Sequence, residues 1–195
     1  MSLMDVIIVP DPVLRQEAKV VETINDDVAA ILDNMAETMY ESNGIGLAAN
    51  QVALLKRVLV MDVPKGCWEY KGKDRHGIMQ IGPSSQAKEQ ETQNLLQMVN
   101  PEIVQASELR SVYSEGCLSI PGQYAEVERP AKVTVKYIDK HGKEQVSDFE
   151  GLDSHCVQHE IDHLNGVLFV DYLSRLKRNT ILRKVEKANK HTQLL

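Results

Sequence analysis

The chain has 195 residues, of which 43% are hydrophobic, and its formal net charge is −6. This length favours one domain with an apolar core, and the acidic balance argues against a general nucleic-acid binder, so we expect no DNA partner. Three scattered cysteines cannot build a disulfide framework and favour a reducing compartment. The N-terminus shows no targeting segment and no apolar run reaches membrane-spanning length, so the sequence predicts a cytoplasmic protein without a membrane partner.

The first third of the chain contains two clear elements and one unusual stretch. Apolar residues recur at helical spacing over residues 25–42, where Asn25 or Asp26 can cap a helix. A strand is predicted over residues 57–63. Between them, residues 44–52 read GIGLAANQV, and glycines followed by small residues indicate a backbone that approaches another group closely. A phosphate loop without its third glycine and a tight turn packed on a helix both fit this stretch.

Residues 64–97 are polar and rich in glycine, lysine and glutamine. A connection of this length is unusual inside a compact domain, so we interpret it as a surface insertion with a short hairpin around Trp68 and residues 78–79. Cys67 and His76 are candidate metal ligands, but no second ligand pair lies at zinc-site spacing. A solvated loop is therefore the expectation for both.

The second half of the chain is predicted to be mostly strand, followed by two helices. Residues 99–104 indicate a strand. Two alternating runs, residues 131–137 and 144–149, flank a turn at residues 139–142 and predict a hairpin. A last helix is predicted over about residues 174–190.

Residues 158–163 read QHEIDH and contain the pattern H-E-x-x-H. On a helix, His159 and His163 lie one turn apart on one face, so their imidazole nitrogens can hold one divalent metal ion. Glu160 then lies beside the ion and can move a proton between water and a leaving group. A solvated helix face is the alternative, but apolar flanking residues predict a buried helix, and buried histidines need a partner.

The N-terminal part of this helix is polar. Asp153 or Ser154 is the expected N-cap. A pair formed by His155 and His159 would also fit one ion, but the H-E-x-x-H pair leaves the glutamate on the metal's side. We therefore expect His155 on the polar helix surface and Cys156 in the core.

Three stretches of the chain resemble the three motifs of the peptide deformylase family, in the family's order and without gaps. They are GIGLAANQ at residues 44–51, EGCLS at residues 115–119 and QHEIDH at residues 158–163. The resemblance covers nearly the whole chain, and residues 10–15 and 168–173 also resemble the bacterial form. It implies one catalytic domain over residues 1–195. The implied fold is α+β, with antiparallel β-sheets packed around a central metal-binding helix and further helices near the N- and C-termini.

The same resemblance implies a metal site. Cys117 would join His159 and His163 as the third ligand, with water in the fourth position. Three protein ligands and one open position are typical of catalytic metal sites. The implied ion is Fe2+, one per chain, which zinc or nickel can replace in purified protein.

The reaction implied by the resemblance is removal of the N-formyl group from formylmethionine at the start of newly synthesised polypeptides. Glu160 would act as general base and then as general acid. The side-chain amide of Gln51 and the backbone N–H of Leu118 would stabilise the oxyanion. The implied substrate-binding residues are Gly46, Ile45 and Gly116.

Two rival functions follow from the residues themselves, and the basic C-terminal helix raises the question of a partner. A zinc endopeptidase shares H-E-x-x-H but needs a downstream glutamate or histidine ligand, for which Glu186 and His191 are poorly placed. A closed structural site would need four protein ligands and no role for Glu160. Residues 175–190 contain seven basic residues against one acidic residue, which fits a solvated face. The resemblance to bacterial deformylases implies contact with ribosomal RNA instead.

Overall fold

The computed structural model describes residues 2–85 and 94–192. Within these residues the fold is α+β, as predicted, with three α-helices and two β-sheets. The helices are α1 (Asp26–Glu41), α2 (Leu152–Leu164) and α3 (Arg175–Thr192). The strands are β1 (Gly46–Ala48), β2 (Val58–Met61), β3 (Trp68–Lys73), β4 (Met79–Pro83), β5 (Leu96–Ala106), β6 (Arg110–Cys117), β7 (Ile120–Pro130), β8 (Lys132–Asp139) and β9 (Glu144–Glu150).

Helix α2 lies at the centre of the fold. Eleven of its 13 residues are buried, so its polar side chains must find partners inside the protein. One core cluster joins its apolar residues to the five-stranded sheet, which has the order β1-β2-β5-β8-β9. A second cluster packs α1 on β1 and β2, and a third packs α3 on β7. Among the described helices, none has the length and apolar character that a bilayer crossing requires.

The predicted elements of the first sheet are present with small differences. Asn25 caps α1 by accepting a hydrogen bond from the backbone N–H of Val28 at 3.1 Å, and β8 and β9 form the predicted hairpin. The strand predicted over residues 99–104 is part of β5. Its register shifts after Val99, and Asn100 adopts a left-handed φ of 51°, which places a bulge in the strand.

The four-stranded sheet has the order β3-β4-β6-β7. Its first two strands form a hairpin within residues 64–97, where a short hairpin was expected, and β4 continues the sheet by pairing in parallel with β6. The segment is therefore integrated into the fold, although residues 86–93 lie outside the described part of the chain. Cys67 packs partly buried against the core and His76 is exposed. Neither belongs to the one group of metal donors found among the described residues.

The hairpin contacts the start of α2, and this contact explains why the predicted cap is wrong. The N-cap is Gly151, which has a φ of 60° and no capping side chain. Any Cβ at this position would overlap the ring of Trp68. Asp153 and Ser154 lie inside the first turn, where Asp153 accepts a hydrogen bond from Trp68 Nε1 at 3.3 Å and Ser154 donates to a backbone carbonyl of β7 at 3.1 Å.

Candidate metal centre

Three candidate donor atoms meet where the end of β6 faces α2. The thiol of Cys117 and one ring nitrogen each from His159 and His163 lie within 4.8 Å of one another. His163 Nε2 lies 3.2 Å from Cys117 Sγ, and donors on one tetrahedral zinc ion are about 3.5 Å apart by its usual bond lengths. A thiolate and two imidazoles in a buried corner therefore fit a divalent transition-metal ion.

The local geometry of β6 and β7 presents Cys117 to the helix. The register of the two strands shifts between Gly116 and Cys117, so Cys117 pairs with Ile120 at a sharp reversal. A side chain at position 116 would overlap the ring of Tyr124, which crosses over this glycine from β7. The glycine of the EGCLS stretch therefore leaves room for the Tyr124 ring to lie over the end of β6.

Glu115 orients one of the two candidate metal-binding histidines, a role that the sequence pattern does not reveal. Its Oε2 accepts a hydrogen bond from His159 Nδ1 at 2.9 Å, which leaves His159 Nε2 free for a metal. Arg129 donates to both carboxylate oxygens, at 2.6 and 3.0 Å. Burial alone would raise the pKa of Glu115, but hydrogen bonds from His155 and His159 and the charge of Arg129 hold it well below its usual value. The carboxylate is therefore ionised and accepts hydrogen bonds from Arg129, His155 and His159.

The expectation that His155 lies on a polar helix surface is wrong. Its side chain is 1% exposed, with Nδ1 2.9 Å from Glu115 Oε1 and Nε2 3.0 Å from Ser111 Oγ. Because α2 is buried nearly all round, this face of the helix meets β6 instead of water. The expectation for Cys156 is confirmed, since it lies in the core cluster.

Glu160 is buried beside the donor atoms. Its side chain is 4% exposed, and Oε2 has no hydrogen-bond partner among the described residues. Burial raises the pKa of this carboxyl group to about 7. Any Cβ at position 46 would overlap Glu160 Oε1, so Gly46 is required for β1 to lie this close to the acid.

The GIGLAANQV stretch forms β1 and a short 3-10 helix, Ala49–Val52, that carries Gln51 to the same corner. Gln51 Oε1 accepts a hydrogen bond from the backbone N–H of Ala48 at 2.9 Å. The amide nitrogen therefore points the other way, 3.5 Å from Cys117 Sγ and 3.2 Å from Ser119 Oγ. This arrangement makes Gln51 Nε2 a fixed donor beside the three candidate metal ligands.

A cleft of about 510 Å³ opens over this corner. Its walls come from β1, β6, β7 and the first turns of α2, and they include the aromatic rings of Tyr113 and Tyr124. Eight of the nine residues expected at the site line the cleft, and the ninth, His163, lies buried behind it. The eight are Ile45, Gly46, Gln51, Gly116, Cys117, Leu118, His159 and Glu160.

Comparison with known proteins decides the family. The family model described as polypeptide deformylase matches residues 3–179. The chain belongs to the peptide deformylase family. A peptide deformylase from Rhizobium meliloti is 50% identical over 190 residues, which cover 97% of this chain and 96% of the relative.

Solved deformylase structures share the fold. The peptide deformylase of Ehrlichia chaffeensis superposes with a TM-score of 0.82 at 36% identity, covering 96% of this chain and 97% of that one. Its structure in complex with actinonin superposes with a TM-score of 0.80 at 38% identity, over 96% and 98% of the two chains. The family assignment confirms the resemblance and does not favour the zinc endopeptidase. A closed four-ligand site is also disfavoured, because the donor group found among the described residues has three members.

Proposed function

We propose that this deformylase hydrolyses the N-formyl group of formylmethionine at the start of newly synthesised polypeptides and releases formate. The observation that carries the proposal is the open side of the Cys117, His159 and His163 group, which faces the cleft with Glu160 beside it. A closed structural site would bury a fourth protein ligand there. An arrangement with one free side allows substrate and water to reach the centre.

We propose that Cys117, His159 and His163 hold one divalent ion. When bound, the ion supplies Lewis acidity that polarises the formyl carbonyl and acidifies water. The finer proposal is Fe2+ as the resident ion, with zinc or nickel able to replace it. The mixed thiolate and imidazole donor set supports a transition metal over magnesium or calcium, which prefer oxygen ligands.

Glu160 is proposed to move the proton. Its Oε2, which is buried and has no hydrogen-bond partner in the described part of the chain, accepts a proton from the attacking water. It later delivers the proton to the amine that leaves when the formyl C–N bond breaks. Gln51 Nε2 and the backbone N–H of Leu118 are proposed to donate hydrogen bonds to the oxyanion of the tetrahedral intermediate. The Gln51 amide is suited to this because the backbone of Ala48 already fixes its orientation.

The substrate backbone is proposed to lie along Ile45, Gly46 and Gly116 in the cleft. Neither glycine has room for a side chain, since a Cβ would overlap Glu160 at one position and Tyr124 at the other. The corner beside Glu160 is therefore narrow, and a formyl carbon, which carries only hydrogen, fits where a bulkier acyl group does not.

Formate release from a formyl-Met tripeptide tests the reaction directly. The protein is purified anaerobically with Fe2+ or loaded with Ni2+, and the acetylated and unformylated tripeptides serve as controls. We expect formate from the formyl peptide alone, without cleavage of internal peptide bonds. Internal cleavage would instead support an endopeptidase, and no formate from fully metal-loaded protein would contradict the proposal.

We also propose that α3 contacts ribosomal RNA. Ile181 and Val185 anchor the helix in the core, while five basic residues point to solvent without an ion pair in the described part of the chain. The five are Arg175, Lys177, Arg183, Lys184 and Lys187. An exposed cationic row on a helix held firmly by its apolar side suits binding to phosphates.

Neutralising part of this row tests the contact without removing the helix. Glutamine at Arg183, Lys184 and Lys187 is expected to weaken ribosome binding and to flatten its dependence on salt concentration, because fewer counterions are released. The control places glutamine at Lys65, Lys73 and Arg75, three exposed cations of the hairpin region. Equal effects of both triple variants, or none from the first, would contradict a specific contact.

We propose that the protein acts in the cytoplasm, where nascent chains are made, as one catalytic domain over residues 1–195. The cleft supports this domain assignment, because its walls draw on both sheets and on α2. N-formylmethionyl nascent peptides are then its main partners, and neither DNA nor a membrane is required for the reaction.

A further inference from the structure

Two histidines of α2, one turn apart, contact the same carboxylate. His159 Nδ1 lies 2.9 Å from Glu115 Oε2, and His155 Nδ1 lies 2.9 Å from Glu115 Oε1. All three side chains are almost fully buried. The mechanism above uses His159 as a metal ligand but gives His155 no role, although a buried histidine with both nitrogens engaged is a specific arrangement.

The directions of these hydrogen bonds follow from the chemistry of the groups. An ionised carboxylate only accepts, so His155 donates from Nδ1 to Glu115. Nε2 of the same ring lies 3.0 Å from the hydroxyl of Ser111, which is fully buried and can pair with this nitrogen as donor or acceptor. The result is a chain of hydrogen bonds from Ser111 through His155 to Glu115. The other oxygen of Glu115 accepts a hydrogen bond from His159.

We propose that His155 is a positioning residue for the metal centre, holding the Glu115 carboxylate at the angle at which it orients the ring of His159. This inference rests on the proposed role of His159 as a metal ligand. Helix α2 thereby binds the carboxylate twice, once through the ligand itself and once through the residue one turn before it.

Arg129 does not make this contact redundant. It approaches Glu115 from β7 and also donates from its third nitrogen to Asp162 of α2 at 2.7 Å, so Arg129 links the carboxylate to the helix only through a second residue. Its planar fork aligns the carboxylate with β7, the strand paired with β6. His155 is itself a residue of α2, the helix that carries both histidine ligands, and contacts the carboxylate without an intermediate residue. It therefore holds Glu115 in position relative to the His159 ring if the sheet and the helix shift against each other.

Two amide substitutions separate the positioning role from simple packing. In His155→Asn the amide nitrogen stands as many bonds from the backbone as Nδ1, so it can donate to Glu115. In His155→Gln the nitrogen stands one bond further out, like Nε2, and the donor to Glu115 is displaced. Both variants replace the imidazole with a smaller polar group, so a loss of packing affects them in the same direction.

The measurement is the rate at which zinc-loaded protein loses zinc to a chromogenic chelator, together with the melting temperature of the metal-free form. We expect His155→Gln to lose zinc about tenfold faster than wild type, at the low end of the range for groups that orient a metal ligand. His155→Asn should stay within about twofold of wild type on the same reasoning. A similar fall in melting temperature for both variants would show that they lose the same amount of packing stability, so that a difference in zinc loss reflects the position of the donor.

Equal rates of zinc loss for the asparagine and glutamine variants, whether fast or slow, would overturn the inference. So would a fast loss from His155→Asn alone. A failure of the proposed metal site would give a different result, which is visible in the wild-type protein. A wild-type protein that binds no zinc would remove the ligand assignment, and the inference with it, before any variant is compared.

Discussion

Replacing Glu160 with glutamine is expected to lower kcat for formate release by about 10³-fold while the metal content stays at the wild-type level. Glutamine has nearly the same shape, but its amide cannot accept a proton from water and return it to the leaving amine. The ion is held by other side chains, so binding of the metal should not change. Formate release and metal content, measured on the same preparation, check both halves of the expectation.

Asp153→Asn is a matched control for this variant. It makes the same change from carboxylate to amide in the first turn of the same helix, where the side chain accepts a hydrogen bond from Trp68 and lies outside the cleft wall. We expect kcat within about threefold of wild type, because no proton transfer depends on it. Full activity in Glu160→Gln would contradict the assignment of the general base and revive a structural role for the metal.

The sequence predicts those parts of the site that lie close together along the chain. His159, Glu160 and His163 lie within five consecutive positions, and helical periodicity alone places both imidazoles on one face. Helix α1 and the β8–β9 hairpin are predicted for the same reason, since local spacing and turn residues determine them. These features need no knowledge of tertiary structure.

The other contributions to the site depend on contacts between distant segments. Cys117 lies 42 positions before His159, so family resemblance identifies it and spacing does not. The link between His155 and Glu115 depends on which face of α2 meets β6. The polar run around His155 suggests solvent, whereas the fold supplies a buried carboxylate and the Ser111 hydroxyl. A polar residue on a fully buried helix is therefore better interpreted as part of a hydrogen-bond network than as surface.

The β3–β4 hairpin also depends on contacts with distant segments that its local sequence does not reveal. Its polar composition indicates an insertion, but β4 pairs with β6 and Trp68 packs over Gly151 at the start of α2. A few apolar side chains, Trp68 with Cys67 and Ile81, anchor a segment that is otherwise polar. Composition averages over the segment and misses these contacts.

Replacing Cys117 with serine is expected to weaken zinc binding by at least about 10²-fold, beyond the effect of losing a group that only orients a ligand. A serine hydroxyl stays protonated near neutral pH, so the ion loses its anionic sulfur ligand and retains two neutral imidazoles. Formate release should fall with the metal content and recover only in part when excess metal is added. Zinc content after dialysis against a competing chelator measures the change.

Cys156→Ser is the matched control, because it exchanges the same atom in a thiol on α2 that faces the same cleft. Burial raises the pKa of Cys156 well above its usual value, so its sulfur is a neutral thiol that donates to the Ile45 carbonyl at 3.4 Å. Serine can keep that hydrogen bond, and zinc content should match wild type. Zinc retained in Cys117→Ser but lost in Cys156→Ser would reverse the ligand assignment. Loss confined to Cys117→Ser would identify the sulfur on β6 as the one that distinguishes this centre from an all-histidine or carboxylate site.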